Sequence, residues 1–588
     1  MRAPRALLRL VLLGSLLGAG SVHARIYDHI SANGFDVPVD APTSDAEAAR
    51  FLTQATFGPT APEIARLRAI GYGEWMDEQL GAVATRERPF VEQVIAARTA
   101  AGQNVSQSQR VDRWLWIAVY SKDQLRQRMA WALSQIFVVS DQNSAISNDI
   151  IPMSEYADLL GRDAFGSYRA LLGDVTFSPT MGKYLSHFHN QKPSASTQPD
   201  ENYAREVMQL FSVGLIERNL DFSPVLNAGN PVPTYDQTVI THTAKVFTGF
   251  TYSDAPINPP NFYGGAITAA GSYNPIACWG SELFPLNSNN MRHDVTGDDG
   301  TTNTPKTVLG GLTIAPNQSC AQDVGDELDI IAGHGNVAPF ISRQLIQRFV
   351  TSNPSPTYIQ RVASVFEDNG APEHERGDLG AVIRAVLLDT EARTPPAEPT
   401  YGKLREPLLR LTAIWRAWDA QPQAPNAYGE IVMSAGNSFL STTGQRPLGS
   451  PTVFNFYEPD YQQPGPFADQ DLYSPELQIT NESTTYSTGN IFYNYTRKAY
   501  VGMNLPPDNQ TLPTDRPLLN LSMLTVDSGN PGAMVDTANA RMLCGSMSPN
   551  MRGILVNTLQ FMSGASPQEK AWSLVYLIAL SPEYAAQR

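Results

Sequence analysis

Apolar residues recur at intervals of three and four along most of the chain, which is the period of an amphipathic helix. A serine or threonine followed three residues later by Glu or Gln marks the predicted helix starts at Ser44, Thr60, Ser121 and Ser566. The helix that follows Thr60 is predicted to end at Gly71. From the same period we predict helices over 155–162, 167–174, 200–213, 236–248, 323–333, 336–350, 355–368, 379–391, 403–418, 548–562 and 567–580. The pattern therefore predicts a mainly α-helical protein.

Two regions interrupt the helical period. Residues 252–322 are rich in Asn, Gly, Pro and Thr, and a loop of this length is either functional or built from short strands. Within it, residues 308–314 resemble a small β-hairpin with a primed turn at Gly310-Gly311. Residues 420–545, rich in Ser, Asn, Thr and Pro, are predicted to be irregular surface structure. Since no linker composition separates these regions, we predict one large multi-helical domain over 44–588 with two long insertions.

The N-terminus has the pattern of a secretory signal peptide over residues 1–24. Three arginines precede the apolar run Leu10–Leu17, and Val22-His23-Ala24 offers a cleavage site. The run is shorter than the roughly 20 apolar residues that span a bilayer, although a retained anchor helix is the alternative. Residues 25–43 are predicted to be an extended segment. We therefore expect an exported protein, either periplasmic or extracellular.

The amino-acid composition argues against further classes of protein. The 588 residues include 42 Lys+Arg and 57 Asp+Glu, and loss of the three arginines of residues 1–24 changes the net charge from −15 to −18. This negative charge repels phosphate backbones and anionic lipids, which argues against nucleic-acid binding. Hydrophobic residues make up 42% of the chain, enough for a large core, so general disorder is excluded. Charged residues are only 17%, which makes any cluster of them conspicuous.

The three cysteines do not form a disulfide scaffold or a zinc motif. In an exported protein Cys278 and Cys320 can pair, because both lie in the same loop-rich region. Cys544 is then left as a single thiol, most often a buried small apolar residue.

The predicted helix over 200–213 carries a cluster of polar residues. At 100° per residue, Glu201, Asn202, Arg205 and Glu206 fall on one arc of about 140°. One interpretation is a solvated helix face with a weak ion pair between Glu201 and Arg205. The other is a carboxylate-rich cleft wall, in which Glu201 or Glu206 acts as an acid or base or binds a metal.

Histidines provide a second set of candidates. His187 and His189 would point the same way from an extended segment and would share a metal ion. His293-Asp294 lies in the long loop, with Lys306 close behind. For each single histidine, a structural hydrogen bond is the alternative role. The chain lacks the GxSxG, GxxxxGK[ST], HExxH and GxGxxG motifs, which argues against an α/β-hydrolase, a nucleotide-binding fold and a zincin.

Several ordered motifs carry a family resemblance over residues 45 to 560. They are FLTQATFGPT (51–60), GYGEWMDEQL (71–80), LRQRMAWALSQIFVVS (125–140), SPTMGKYLS (178–186), ENYAREVMQLFSVGL (201–215), AKVFTGF (244–250), FISRQLIQRFV (340–350), KLREPLLR (403–410) and RPLGSPTVFNFYEPDY (446–461). Together they resemble the domain-of-unknown-function 1800 (DUF1800) family of exported bacterial proteins. By this resemblance the signature positions are Glu201, Asn202, Arg205, Glu206, Gly249, His293, Asp294 and Lys306. The members look like partners of a second exported family that resembles sulfatases and alkaline phosphatases.

Two hypotheses follow for the function. The first is an exported enzyme that acts on an extracellular or envelope polymer, with a divalent metal as candidate cofactor. Its candidate catalytic residues, which would face one another across a cleft, are Glu201, Glu206, His293 and Asp294. Its candidate substrate-binding residues are Asn202, Arg205 and Lys306, and its candidate metal ligands are His187, His293 and Asp294. The second hypothesis is a non-catalytic envelope assembly or binding protein, in which the same polar residues fix the helix packing.

Overall fold

The computed structural model describes residues 40–252, 276–278, 292–398, 400–434, 438–497 and 514–588. The predicted signal peptide, the extended segment up to residue 39 and residues 253–275 and 279–291 of the first insertion lie outside the described residues. Helices dominate the remainder and the few strands are short, so the mainly α fold is confirmed.

The helices of the N-terminal part, up to the first insertion, are numbered in chain order. They are α1 (Asp45–Ala55), α2 (Ala61–Gly81), α3 (Arg88–Ala100), α4 (Ser108–Tyr120), α5 (Gln124–Ser134), α6 (Ile150–Asp163), α7 (Tyr168–Thr176), α8 (Pro179–Tyr184), α9 (Asn202–Gln209) and α10 (Gln237–Val246). Those after the insertion are α11 (Cys320–Gly333), α12 (Val337–Phe349), α13 (Pro356–Glu367), α14 (Leu379–Leu388), α15 (Thr390–Arg393), α16 (Pro407–Ala417), α17 (Ser438–Thr443), α18 (Glu482–Thr496), α19 (Ser522–Val526), α20 (Pro531–Met542), α21 (Pro549–Phe561), α22 (Pro567–Leu580) and α23 (Pro582–Ala585).

The strands form four antiparallel pairs of two or three residues each. They are β1 (Leu226–Asn227) with β2 (Asn230–Pro231), β3 (Phe250–Tyr252) with β4 (Ile276–Cys278), β5 (Lys306–Thr307) with β6 (Thr313–Ile314), and β7 (Lys403–Leu404) with β8 (Ala586–Gln587). The predicted hairpin at 308–314 therefore exists. Its first strand begins at Lys306, two residues before the predicted segment. The turn agrees with the prediction, because Gly310 and Gly311 have φ 67° and 72°, as a primed turn requires, and the Leu312 N–H donates to the Leu309 carbonyl oxygen at 3.3 Å.

Local capping determines several helix starts as predicted. The Ser44 hydroxyl accepts a hydrogen bond from the backbone N–H of Glu47, and Ser566 forms a complete capping box with Glu569. The predicted end at Gly71 is a kink instead. Gly71 has φ 82°, which is outside the helical region, and the chain resumes helical geometry beyond it until Gly81.

The second insertion is more regular than its composition indicates. Residues 420–545 contain the 15-residue helix α18 and the 12-residue helix α20, so the prediction of irregular surface structure is wrong there. Although α18 is rich in Ser, Thr and Asn, it buries Ile491, Phe492 and Tyr495. Helices α3 and α4 were also not predicted by the periodicity argument.

Buried apolar side chains form two clusters. The first contains side chains of the N-terminal helices α1, α2 and α5 to α10 together with α11 to α14. The second contains side chains of α4, α16 and the C-terminal helices α18 to α22. Trp131 of α5 belongs to the second cluster, although most buried residues of α5 belong to the first. Helix α5 therefore lies where the two clusters meet.

Candidate functional site

The signature residues at the start of α9 lie at the protein surface. The carboxylate of Glu201 accepts hydrogen bonds from Gln237 Nε2 at 2.8 Å and from Thr241 Oγ1 at 2.9 Å. Arg205 Nη2 lies 3.4 Å from Glu201 Oε2, and the two side chains are 40% and 33% exposed. Asn202 is exposed, and its backbone N–H donates to Asp200 Oδ1. The Glu201–Arg205 pair is therefore a surface ion pair, which contributes little to stability.

Glu206 points inward from the same helix. The residue is 6% exposed, and its Oε2 atom has no hydrogen-bond partner. Burial raises the pKa of this carboxyl, while Arg205 acts in the opposite direction. Burial also raises the pKa values of Tyr184 and Tyr235 to about 12, and the charge of Glu206 adds to both shifts. The polar arc predicted from the sequence is thus divided, with Glu206 alone facing the interior.

A second group of signature residues is wholly buried between α10 and α11. His293 Nε2 lies 3.0 Å from Asp323 Oδ2, and Lys306 Nζ donates to the same oxygen at 2.6 Å. All three side chains have no exposed surface. The other ring nitrogen of His293 lies 3.0 Å from the carbonyl oxygen of Thr248. We refer to His293, Lys306 and Asp323 as the buried triad.

Glu327 lies one helical turn beyond Asp323 on α11 and is also fully buried. It accepts a hydrogen bond from the Thr243 hydroxyl at 3.0 Å, while its Oε2 atom has no partner. Burial raises the pKa of Glu327 to about 7, and neighbouring Asp323 raises it further while Lys306 lowers it. The sequence analysis missed both α11 carboxylates, although their spacing of four within an apolar helix was a usable signal.

Asp294 closes the turn that follows His293. Its Oδ1 atom accepts from the backbone N–H and the hydroxyl of Thr296, at 2.9 Å and 2.7 Å. The backbone N–H of Asp294 donates to Thr248 Oγ1 at 2.9 Å. Gly249 has φ 90°, and a Cβ atom there would lie 3.1 Å from His293, so glycine permits the close approach of the two segments. Asp294 and Gly249 thus position the loop that carries His293.

The structure does not bring the two groups of signature residues together. Glu201 and Arg205 contact Gln237 at the start of α10, whereas the buried triad lies near Thr248, which follows this helix. Among the described residues, no hydrogen bond or ion pair joins Glu201 or Glu206 to His293 or Asp294. The two groups therefore belong to separate hydrogen-bond networks, and the cleft expected between them stays a prediction.

The histidine pair at 187–189 does not have the expected geometry. His187 Nε2 lies 2.8 Å from the Thr176 carbonyl oxygen, and burial lowers the pKa of His187 to about 4. His189 Nε2 lies 3.4 Å from Thr251 Oγ1, and its φ of 67° shows that the segment is not extended there. Among the described residues, no three His, Cys, Asp or Glu side chains are arranged to hold a metal ion. His187 is therefore separate from His293 and Asp294, the other candidate ligands.

Two cysteines have described side chains. Cys320, at the start of α11, is disulfide-bonded. The backbone of Cys278, its predicted partner, pairs with Phe250 in the β3–β4 sheet, while the side chain of Cys278 lies outside the described residues. Cys544 is free, and burial raises the pKa of its thiol to about 11.

A comparison with known protein families supports the family resemblance of the sequence motifs. A sequence model of the family described as "Protein of unknown function (DUF1800)" matches residues 50–586. The chain belongs to this family. No curated protein and no solved structure matches the chain. Within the part of this DUF1800 protein that the structure describes, no helix is long and apolar enough to cross a membrane.

Three further DUF1800 motifs meet at one buried carboxylate between the two apolar clusters. Glu406, in the 403–410 motif, accepts hydrogen bonds from Trp131 Nε1 at 3.0 Å and from Gln135 Nε2 at 2.8 Å, both in the 125–140 motif. Tyr457 of the 446–461 motif donates to Gln135 Oε1 at 3.2 Å. Glu406 is completely buried, so these polar residues fix the packing of distant segments and do not face solvent.

Proposed function

We propose that this DUF1800 protein is a non-catalytic binding or assembly protein of the cell envelope, exported through residues 1–24. The observation that supports the proposal most is the complete burial of the triad His293, Lys306 and Asp323, whose polar groups bond to one another. A catalytic acid, base or substrate-binding cation must come within hydrogen-bond reach of substrate. Side chains without solvent-exposed surface are better suited to holding β5 and the segment of His293 against α11.

Exposed apolar side chains on the C-terminal helices support a role that involves a protein partner. Large side chains that are 38% to 91% exposed occur on α19, α21 and α22. They are Met523, Val526, Ile554, Phe561, Leu577 and Leu580. Helices α19 and α21 both pack against α22, so these side chains occur on neighbouring helices. Apolar patches at the surface are typical of interaction sites. The partner that we propose is an exported protein of the sulfatase and alkaline phosphatase type, as the family resemblance implies.

The buried triad provides the test that distinguishes this proposal from the enzyme hypothesis. Lys306→Met removes the ammonium and leaves Asp323 as an uncompensated buried charge, so we expect a loss of about 3–5 kcal/mol in the free energy of unfolding. The double variant Lys306→Met/Asp323→Asn removes both charges and retains an acceptor for His293. We expect it to recover most of this loss in urea denaturation.

The results for the double variant distinguish a non-catalytic binding protein from an enzyme. A double variant that is stable and still binds the purified sulfatase-like partner with wild-type affinity supports a structural role for the triad. The enzyme hypothesis instead predicts a stoichiometric divalent metal in the purified wild-type protein and turnover of an envelope polymer. A stable double variant that loses this turnover while retaining wild-type stability would overturn our proposal.

A further inference from the structure

A cleft lies where the start of α4, the segment after α5 and the 446–449 loop meet. Its volume is about 370 Å³, which is within the range of roughly 300–1,000 Å³ for small-molecule sites. Its wall contains the charged residues Asp141 and Arg446 and the neutral polar residues Gln142, Ser147 and Asn148. None of the signature residues of α9 or the buried triad lines this cleft.

A second guanidinium, that of the fully buried Arg110, lies behind the charged pair of the cleft wall. Asp141 accepts from Arg110 Nη2 through Oδ2, at 3.1 Å, and from Arg446 Nη2 through Oδ1. Two guanidinium groups thus share one carboxylate. Arg110 also interacts with Glu87, and burial raises the pKa of Glu87 to about 8, which keeps it mostly neutral at pH 7. The local charge is therefore close to +1.

Arg446 is fixed in place and still has hydrogen-bonding capacity. The residue is 5% exposed. Its Nε atom is buried against Gly449 and its Nη2 atom binds Asp141, whereas its Nη1 atom makes no hydrogen bond to the described residues and retains solvent-accessible surface. Its contact with Asp141 is its only ion pair among the described residues. A Cβ atom on Gly449 would lie 2.8 Å from Arg446 Nε and 3.2 Å from Asp141 Oδ1, so the glycine backbone packs directly against this pair. A planar guanidinium held in this way is preorganised for a carboxylate ligand.

The neutral part of the wall suits a ligand rich in hydroxyl groups. The side chains of Gln142 and Asn148 are exposed, and Asn148 makes no side-chain hydrogen bond to the described residues. Gln142 uses its Nε2 atom to bind Asp141, and its side-chain carbonyl oxygen accepts no hydrogen bond from the described residues. Amide and hydroxyl groups of this kind both donate and accept hydrogen bonds, as sugar hydroxyls require. The single net positive charge matches one carboxylate better than a doubly charged phosphate.

We propose that this cleft binds an acidic sugar, with its carboxylate at Arg446 and its hydroxyl groups at Gln142, Ser147 and Asn148. The inference goes beyond the function proposed above, because such a site would serve an enzyme and a binding protein equally. It also rests on different residues. If the triad experiment contradicts the proposed function, the proposal of an acidic-sugar site still stands. If the cleft binds no acidic sugar, the structural role of the triad still stands.

The test measures binding to the full-length mature protein by calorimetry, with glucuronate, galacturonate, glucose and acetate as probes. We expect at least one of the two uronates to bind at least tenfold more tightly than glucose, which lacks the carboxylate, and than acetate, which lacks the hydroxyls. Equal affinity for acetate and the uronates would overturn the proposal, since it would indicate a general anion site. Absence of uronate binding would overturn it as well.

Substitution at the exposed residue Asn148 locates the site. Asn148→Trp fills the cleft without removing a side-chain hydrogen bond or an ion pair among the described residues, so the variant is expected to fold and to lose at least tenfold in uronate affinity. Asn550→Trp places the same side chain on the exposed start of α21 and is the matched control. Unchanged affinity in a folded Asn148→Trp protein would place the uronate elsewhere and overturn the proposal.

Discussion

At the residue scale, buried carboxyl groups influence how stability depends on pH. Burial raises the pKa of Glu327 from 4.5 to about 7 and that of Asp112 from 3.8 to about 7. A carboxyl with a raised pKa keeps its proton in the folded state while the unfolded chain has already released it. Each of these groups therefore lowers the free energy of unfolding as the pH rises between the two pKa values. Above about pH 7 the free energy of unfolding stays lowered by the full amount, because the carboxyl is then ionised in both the folded and the unfolded state.

Glu327→Gln tests this effect. The amide is neutral and still accepts the hydrogen bond from Thr243, so the variant avoids the cost of ionising a buried carboxyl. We expect it to be more stable than the wild type by roughly 1–3 kcal/mol at pH 8 and nearly equal to it at pH 4.5. Urea denaturation at both pH values measures the difference, with the exposed Glu74→Gln as control. Equal stability of Glu327→Gln and the wild type at pH 8 would contradict the assigned shift.

At the element scale, glycines decide where helices approach each other. Gly58, between α1 and α2, has φ 134°, and a Cβ atom there would lie 2.5 Å from the Cα atom of Ala413 in α16. Arg416 of the same helix donates to the carbonyl oxygen of Gly58 at 2.6 Å. Gly73 within α2 is different, because a Cβ atom there meets no atom within 4 Å. The two glycines therefore provide a matched pair for substitution.

Gly58→Ala and Gly73→Ala are expected to act in opposite directions. Gly58→Ala combines a strained backbone with a clash against α16, so we expect a loss of roughly 2–4 kcal/mol in the free energy of unfolding. Gly73→Ala reduces the entropy of the unfolded chain without a clash and should gain up to about 1 kcal/mol. Chemical denaturation measures both. Two variants of equal stability would show that α16 does not pack closely on Gly58.

At the scale of the whole molecule, a polar layer connects the two apolar clusters. Glu406 is its centre, and it accepts from Trp131 of α5, from Gln135 directly after α5 and from Gln445 of the loop after α17. Lys403 adds an ion pair with Glu476 at 2.8 Å, in which both side chains are buried. Because these bonds join segments far apart in sequence, they couple the folding of one cluster to the other.

Glu406→Ala is expected to weaken this coupling. The substitution leaves three buried donors without an acceptor, so we expect a loss of at least about 3 kcal/mol. We also expect the wild type to unfold in a single calorimetric transition, and this transition to broaden or to separate into two in the variant. The exposed Glu458→Ala variant is the control and should unfold like the wild type. A Glu406→Ala protein with the wild-type melting temperature would contradict this role.

The mainly helical fold, several helix starts and the family could be predicted from the amino-acid sequence. Capping at Ser44 and Ser566 and the apolar period depend on contacts within a few residues, and such contacts can be deduced from the chain alone. The sequence also identified His293, Asp294 and Lys306 as unusual, through the family resemblance. It did not predict α18, because the Ser, Thr and Asn content of this helix indicated a loop.

The environments of the polar residues depend on long-range packing that the sequence does not reveal. His293 meets Asp323 across 30 residues of sequence, and Arg446 meets Asp141 across 305. The polar residues of α9 follow one helical period but lie in two environments, because Glu206 faces the interior while Glu201 lies at the surface. Burial and pairing over such separations depend on how helices pack, and helical periodicity carries no information about which distant segment covers a given face.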